Sequence, residues 1–328
     1  MGEITHRFIK TNGITLHIAE QGPSDGTVVL LLHGFPELWY SWRYQMPALA
    51  EAGFHAIAPD MRGYGQSEAP AGIDQYTQFH VVGDIIGLLN TLDLKQVFLV
   101  GHDWGSIIGW EICRWRPDRV IAYVAISVPF LIRDPDCSGV TKLTALLGEG
   151  IYVNRFQELG RAECDFASLG TAEILKSFIC GGFNSDKDGQ ISQLIAPKGK
   201  ELSTVLPRLD DEKLPSWFTA ADLKYYTDNY NKSSFTGPLN YYRNLDRNWQ
   251  LSAPWSNSLV HTKVLFITGN LDAGLVFHRG FVFGPDFRNF VPNLKDIITI
   301  EGGHFIHEEQ AEKFNQLLIS FFNTVLHK

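Results

Sequence analysis

The chain has 328 residues, 45% apolar and 20% charged, which suits a soluble globular protein built as one large domain or as a core with an insertion. A net charge of −8 and the lack of any basic run argue against nucleic acid as a partner. The four cysteines, Cys113, Cys137, Cys164 and Cys180, have no C-x-x-C or Cys/His zinc spacing, so reduced thiols in a cytoplasmic protein are expected.

The N-terminal MGEITHRFIK has no apolar core of a secretory signal, and His6 stands where myristoylation favours serine or threonine. Ile14–Ala19 and Val28–Leu32 read as strands, the second as a buried one too short to span a membrane. A glycine-proline turn, His33-Gly34-Phe35-Pro36-Glu37, follows it. Next come a strand at Phe54–Ala58, a helix over Tyr76–Leu92, a strand at Val97–Val100, a helix over Ser106–Trp115 and a strand at Val120–Ile126. From about Phe130 to Trp255 the rhythm breaks into helical patterns, aromatics and turns, including the polar loop Asn184–Gln190. The sequon at Asn231-Lys232-Ser233 is expected to be unused. Strands resume at Val264–Thr268 and Ile297–Ile300, and a helix from Glu308 to Leu326 closes the chain without a peroxisomal ending. Alternating β and α elements predict an α/β fold with a doubly wound, mostly parallel sheet. The expected division is a first core part at 1–129, a mainly helical cap at 130–255 and a second core part at 256–328.

Gly101-His102-Asp103-Trp104-Gly105 lies between the strand Val97–Val100 and the helix beginning near Ser106. A strand, a glycine-flanked residue and a helix form the nucleophile elbow of the α/β-hydrolase template. Serine is the usual occupant; aspartate is already ionised at pH 7 and can attack a saturated carbon to give an ester. Aspartate is also a common helix N-cap, and the motif alone divides evenly between the two readings. The template's order is nucleophile, acid, histidine, on loops after late strands. Asp272, after Val264–Thr268, and His304, after Ile297–Ile300, fill those places. Each alone would be an ordinary loop residue; three placements in the right order make coincidence a poor explanation. Asp134 is a weaker candidate acid, and His307, at the start of the final helix, a weaker base. His304, His307 and Glu308 could suggest a metal site, but no second ligand cluster supports one, so neither metal nor cofactor is expected. Cleaving an ester at its carbonyl needs donors for the oxyanion; the backbone N–H groups of Phe35 and Trp104 are assigned to it.

With these residues in hand, the chain resembles the soluble epoxide hydrolases of plant type over nearly its whole length. The resemblance rests on HGFPELWYSWR from His33, DMRGYGQS from Asp60 and GHDWG from Gly101. Two cap motifs are more specific: Tyr152-Val153-Asn154-Arg155-Phe156-Gln157 is similar to Y-x-x-x-F-Q, and Asn240-Tyr241-Tyr242-Arg243 to N-[YW]-Y-R. It implies a covalent ester on Asp103, hydrolysed by water that His304 and Asp272 activate, with Tyr152 and Tyr242 donating to the epoxide oxygen. Phenols suit that task because they stay protonated at pH 7. Tyr241 reads as a packing residue. His102 and Glu37 resemble residues that help arrange hydrolytic water, and Asp60, Arg62, Gly63 and Gly65 a structural loop near the site. The implied substrate is a small apolar epoxide with a vicinal diol as product; membrane insertion is not expected, and a homodimer is left open. Asn270, where the family often has an acid, Ala273-Gly274-Leu275 and much of Phe277–Pro292 depart from its pattern. The alternatives are a haloalkane or haloacid dehalogenase with Trp104 as a halide donor, an epoxide-opening cyclase and a non-catalytic ligand receptor.

Overall fold

A computed structural model describes residues 2–210 and 214–327. In chain order the core opens with β1 (Thr5–Thr11), β2 (Ile14–Gln21), β3 (Val28–Leu32), α1 (Gln45–Glu51), β4 (His55–Pro59), α2 (Gln78–Thr91), β5 (Val97–His102), α3 (Trp104–Trp115) and β6 (Val120–Ile126). A helical segment follows with α4 (Gly139–Leu147), α5 (Tyr152–Arg155), α6 (Arg161–Leu169), α7 (Thr171–Ser177), α8 (Ala220–Ser233), α9 (Thr236–Arg243) and α10 (Leu245–Leu251). The core then resumes with β7 (Val264–Gly269), α11 (Ala273–Val282), α12 (Pro285–Phe290), β8 (Leu294–Ile300), α13 (Ile306–Glu309) and α14 (Ala311–Leu326).

The strands form one sheet in the order β1-β2-β4-β3-β5-β6-β7-β8. β1 and β2 pair antiparallel, as do β2 and β4, and every pair from β4 to β8 is parallel. Apolar runs such as VVLLL of β3 are buried on both faces, as a parallel sheet covered by helices requires. Alternation decides which face each side chain enters: Leu30 and Leu32 join α2 and α3 residues such as Ile85, Leu88 and Ile108, whereas Val29 and Leu31 join α1 and α14 residues such as Met46, Leu49 and Phe314. After β3 the chain moves to β4 on one side and returns to β5 on the other. That reversal brings the carboxyl ends of β3 and β5 side by side, the place where open α/β sheets bind ligands.

β1 is not predicted from the sequence, and its composition explains why. Its residues are mostly exposed, so no apolar run marks it. The stronger signal was the Asn12-Gly13 turn, both residues at positive φ (46° and 79°), which folds β1 back on β2. Helix ends also differ. Tyr76 belongs to a preceding 3₁₀ turn because the Thr77 side chain caps α2. α3 starts at Trp104 instead of Ser106, directly behind Asp103. The terminal helix is broken at Gln310 (φ −128°, ψ 46°), which leaves His307 inside the short α13 instead of at the start of the final helix.

Among the described residues between β6 and β7 there are helices and turns but no strand, only the isolated bridges Ile151–Ile195 and Asn184–Asp272. We read 130–255 as a cap on this basis. Its aromatics seat on the core through Phe35, whose ring centroid lies 5.5 Å from Phe178, 5.7 Å from Phe156 and 5.7 Å from Tyr242. Polar ties flank this contact: Arg43 pairs with both Glu308 and Asp222, and the Tyr241 hydroxyl donates to Arg62 O at 2.9 Å. Tyr241 is thus a core-to-cap tie.

Close packing of β3 against α3 requires Gly105, where a Cβ would meet Leu32 O at 2.0 Å. That carbonyl belongs to a central strand and cannot yield without moving the sheet. Gly105→Ala should therefore destabilise the fold by about 1–3 kcal/mol. Gly139→Ala, with nothing within 4 Å of the added carbon, should be close to neutral. Urea denaturation of both variants beside the parent checks this.

Candidate active site

β5 runs into Asp103 at φ 51° and ψ −118°, a strained conformation for a residue with a Cβ, and α3 begins at the next residue. The turn aims the carboxylate toward the loop after β3. There the Phe35 N–H donates to Asp103 Oδ1 at 2.7 Å, and the Trp104 N–H also donates to the carboxylate. A Cβ on Gly34 would lie 2.4 Å from the Asp103 side chain, so glycine is what lets the loop approach. Burial raises the Asp103 pKa above the ordinary value, with His304, His102 and the two N–H donors pulling the other way.

The loops after β7 and β8 bring the acid and the histidine together. Asp272 caps α11 by accepting from Gly274 N at 2.8 Å, and its Oδ1 lies 2.9 Å from His304 Nδ1. An ionised carboxylate only accepts, which puts a proton on Nδ1 and leaves Nε2 as the basic nitrogen. Burial alone would raise the Asp272 pKa, but His304, Ser127 and the Gly274 N–H outweigh it and hold the group below its ordinary value. His304 Nε2 is buried without a hydrogen-bond partner and stands 3.8 Å from Asp103 Oδ2, beyond hydrogen-bond length. Its lone pair is therefore available. Two supports were not read from the sequence. Ser127, just after β6 at φ 71°, places Oγ 2.9 Å from His304 Nδ1, and the Asn184 side chain accepts from His304 N at 2.8 Å. The position of Ser127 behind a strand end was a usable signal; Asn184 lies far away in sequence and gave none.

Glu37 and His102 lie behind the cavity wall, with hydrogen bonds that run to backbone. Glu37 Oε2 accepts from Gly34 N at 2.7 Å and lies 2.8 Å from His102 Nδ1, while His102 Nε2–H donates to His304 O at 2.9 Å. The pair thus binds the backbone of the β3 loop to that of the histidine loop. Burial would lower the His102 pKa, but the neighbouring Glu37 carboxylate lifts it to about 9. Burial also opposes the Glu37 charge, and His102 and His307 overcome it to hold that carboxyl well below its usual range. Ligand atoms of Glu37, His102 and His307 lie within 4.8 Å of one another, yet both His102 nitrogens are already hydrogen-bonded. This is a buried ion pair, not an open ligand set. The trio of His304, His307 and Glu308 does not form a metal cluster: His304 turns to Asp272, and Glu308 pairs with Arg43. Asp134 is no alternative acid, since it pairs at the surface with Lys142. Of the early loop, Asp60 accepts from Trp39 N and Gln66 N, and Arg62 pairs with Asp84, all structural contacts.

The cap supplies the roof. Asp103, His304, Tyr152 and Tyr242 line one cavity of about 130 Å³ whose other walls are mainly apolar, among them Ile107, Leu131, Leu143 and Phe183. The two tyrosine rings lie 5.9 Å apart edge to face, and Tyr242 packs against Trp104 at 5.1 Å. Burial, reinforced by the Asp103 and Asp272 charges, raises the Tyr152 pKa; burial, Asp103 and Tyr152 do the same for Tyr242 against a hydrogen bond from the Trp104 side chain. Both phenols are therefore donors at neutral pH. A neighbouring cavity of about 140 Å³ shares Ile107, Leu131 and Leu245 with the first but contains neither Asp103 nor His304, so the chemistry belongs to the first.

The alpha/beta hydrolase fold family matches residues 27–311. Epoxide hydrolase 1 of Siraitia grosvenorii is 44% identical over 98% of this chain and 99% of its own. A mutant of a Vigna radiata epoxide hydrolase superposes with a TM-score of 0.92 at 46% identity, over 99% of this chain and 100% of its own. Potato (Solanum tuberosum) epoxide hydrolase I does so with a TM-score of 0.90 at 36% identity, over 98% and 100%. A shared fold places the chain in the α/β-hydrolase superfamily, and similarity over the full length makes it a member of the plant-type soluble epoxide hydrolases within it.

The Glu37–His102 pair carries a pH signature. His102 has a folded pKa of about 9 against an ordinary 6.5, so its stabilisation is fully present below about 6.5 and is lost as pH rises through 9. Unfolding free energy should fall over that window by up to about 3 kcal/mol. His102→Gln should flatten the alkaline limb, as urea titrations across the window would reveal.

Proposed function

We propose that the chain converts an apolar epoxide to a vicinal diol through a covalent ester on Asp103. The observation that carries this reading is the split environment of the Asp103 carboxylate. Oδ1 is held by the Phe35 N–H, while Oδ2 faces the cavity beside the unpartnered His304 Nε2. In the first step Oδ2 attacks an epoxide carbon, the carbon–oxygen bond breaks, and Tyr152 or Tyr242 donates its proton to the leaving oxygen. In the second, His304 Nε2 takes a proton from water as the water oxygen attacks the ester carbonyl. The N–H groups of Phe35 and Trp104 then stabilise the oxyanion that forms on Oδ1. Collapse returns the Asp103 carboxylate and releases the diol, and the proton held on His304 restores the phenol. Asp272 stabilises the transient imidazolium. The mostly apolar walls favour an apolar substrate. Four free cysteines support a cytoplasmic setting.

Separating the two steps tests the scheme. His304→Gln should still be alkylated but should not turn over, so intact-protein mass should rise by one substrate and remain there. An unaltered mass with diol still forming would remove His304 from the reaction. Tyr152→Phe and Tyr242→Phe should each slow alkylation, and the double variant should lose about 2.7–4 kcal/mol of transition-state stabilisation per phenol, by analogy with oxyanion-donor deletions. A departing halide needs no proton, so the two phenylalanine substitutions should slow a matched haloalkane far less than the epoxide. Rapid-quench alkylation rates on both substrates check this.

A further inference from the structure

Five titratable side chains line the catalytic cavity: Asp103, Tyr152, Tyr242, His304 and His278. The reaction proposed above uses four. His278 sits on α11, the helix that Asp272 caps, and Gly274, Phe277 and His278 all line the cavity. Their spacing of i, i+3 and i+4 puts them on one helix face, one turn beyond the acid of the triad. Packing and site geometry fix where that face points, because the Asp272 side chain is bonded at once to Gly274 N and to His304. The His278 ring therefore enters the substrate space from an element already locked to the chemistry.

Its polar atoms are not accounted for by the fold. Among the described residues the ring has no hydrogen-bond partner, and its nearest aromatic neighbour is Phe277 at 6.4 Å. The residue is only partly buried, and its ring nitrogens are open to the cavity it lines, where a ligand can reach them. Burial lowers its pKa to about 4; Asp272 opposes the shift and Lys142 adds to it. Lys142 itself is mostly exposed and pairs with Asp134 at 3.5 Å. The ring is thus uncharged at neutral pH and presents one N–H donor and one acceptor nitrogen.

We propose that His278 is a substrate-contacting specificity residue that hydrogen-bonds a neutral oxygen function, a hydroxyl or carbonyl, carried by the epoxide substrate away from its ring. This rests on the epoxide reading above and narrows it. A hydroxyl can use both ring nitrogens and a carbonyl the donor alone. A carboxylate would have to lose its hydration beside an uncharged ring within apolar walls, which disfavours it. Binding at two points, the epoxide oxygen at the tyrosines and the second oxygen at His278, would also fix which ring carbon faces Asp103. His278 would then set regiochemistry as well as affinity.

The test compares the parent enzyme, His278→Leu and His278→Asn on linear terminal epoxides and on their ω-hydroxy, ω-oxo and ω-carboxy counterparts over a graded chain length. At the chain length that reaches His278, the leucine variant should lose roughly tenfold in kcat/KM on the hydroxy or oxo epoxide and stay within about twofold of the parent on the hydrocarbon epoxide. Asparagine, which keeps a donor and an acceptor, should restore most of the loss. An equal loss on both substrates, no loss on either, or a loss confined to the carboxylate would overturn the assignment. Hydrocarbon turnover is the separate check on the underlying reading: failure of the parent enzyme on every epoxide would remove the epoxide reaction itself, whereas unchanged ratios would remove only His278.

Discussion

The Phe35 N–H donates to Asp103 Oδ1 at 2.7 Å, and this one bond joins the two loops that diverge at the topological switch of the sheet. It orients the carboxylate so that one oxygen is held by the backbone and the other faces the cavity. It also makes the same donor available later, when charge would develop on the held oxygen. For the bond to exist, Asp103 must hold a positive φ, Gly34 must lack a side chain and α3 must lie against β3 through Gly105. Phe35 adds a further duty, since its ring is the seat on which the cap aromatics rest. A change at this residue would therefore reach the Asp103 carboxylate and the roof together.

Beneath this contact lies a second one of a different kind. Glu37 binds Gly34 N on one side and His102 on the other, and His102 reaches the carbonyl of His304. The ion pair is wholly buried, where leaving either charge alone would be costly. Its effect is to hold the loop after β3, the elbow and the histidine loop in one fixed relation. Precise spacing matters here because His304 Nε2 lies 3.8 Å from Asp103 Oδ2, a separation set by two loops from different strands. The side chains that do the proposed chemistry are thus positioned by others that never face the cavity.

Much of this was legible in the sequence because parallel strands announce themselves as short apolar runs and their ends locate the site. Asp103, Asp272 and His304 each follow such a run, and the structure brings all three together. β1 escaped notice because an exposed edge strand has no apolar run, although Asn12-Gly13 marked its turn. Glu37 and His102 were recognisable as residue types, but their hydrogen bonds to Gly34 N and His304 O, which depend on loops far apart in sequence, were not. Asn184 supports His304 across 120 positions of sequence, and no local pattern encodes such a contact. His278 was hidden for a related reason: an isolated histidine on a helix shows its partner-free ring only once the cavity is seen.

Everything in the proposed reaction depends on whether Asp103 forms a covalent bond to substrate carbon. Turnover in heavy-oxygen water, followed by mass analysis of the Asp103 peptide and of the diol, decides it most directly. The account predicts that the first-turnover diol carries an unlabelled oxygen taken from the enzyme, while the Asp103 carboxylate gains label from the water that cleaves the ester. A first-turnover diol labelled directly from water, with Asp103 unlabelled, would contradict it.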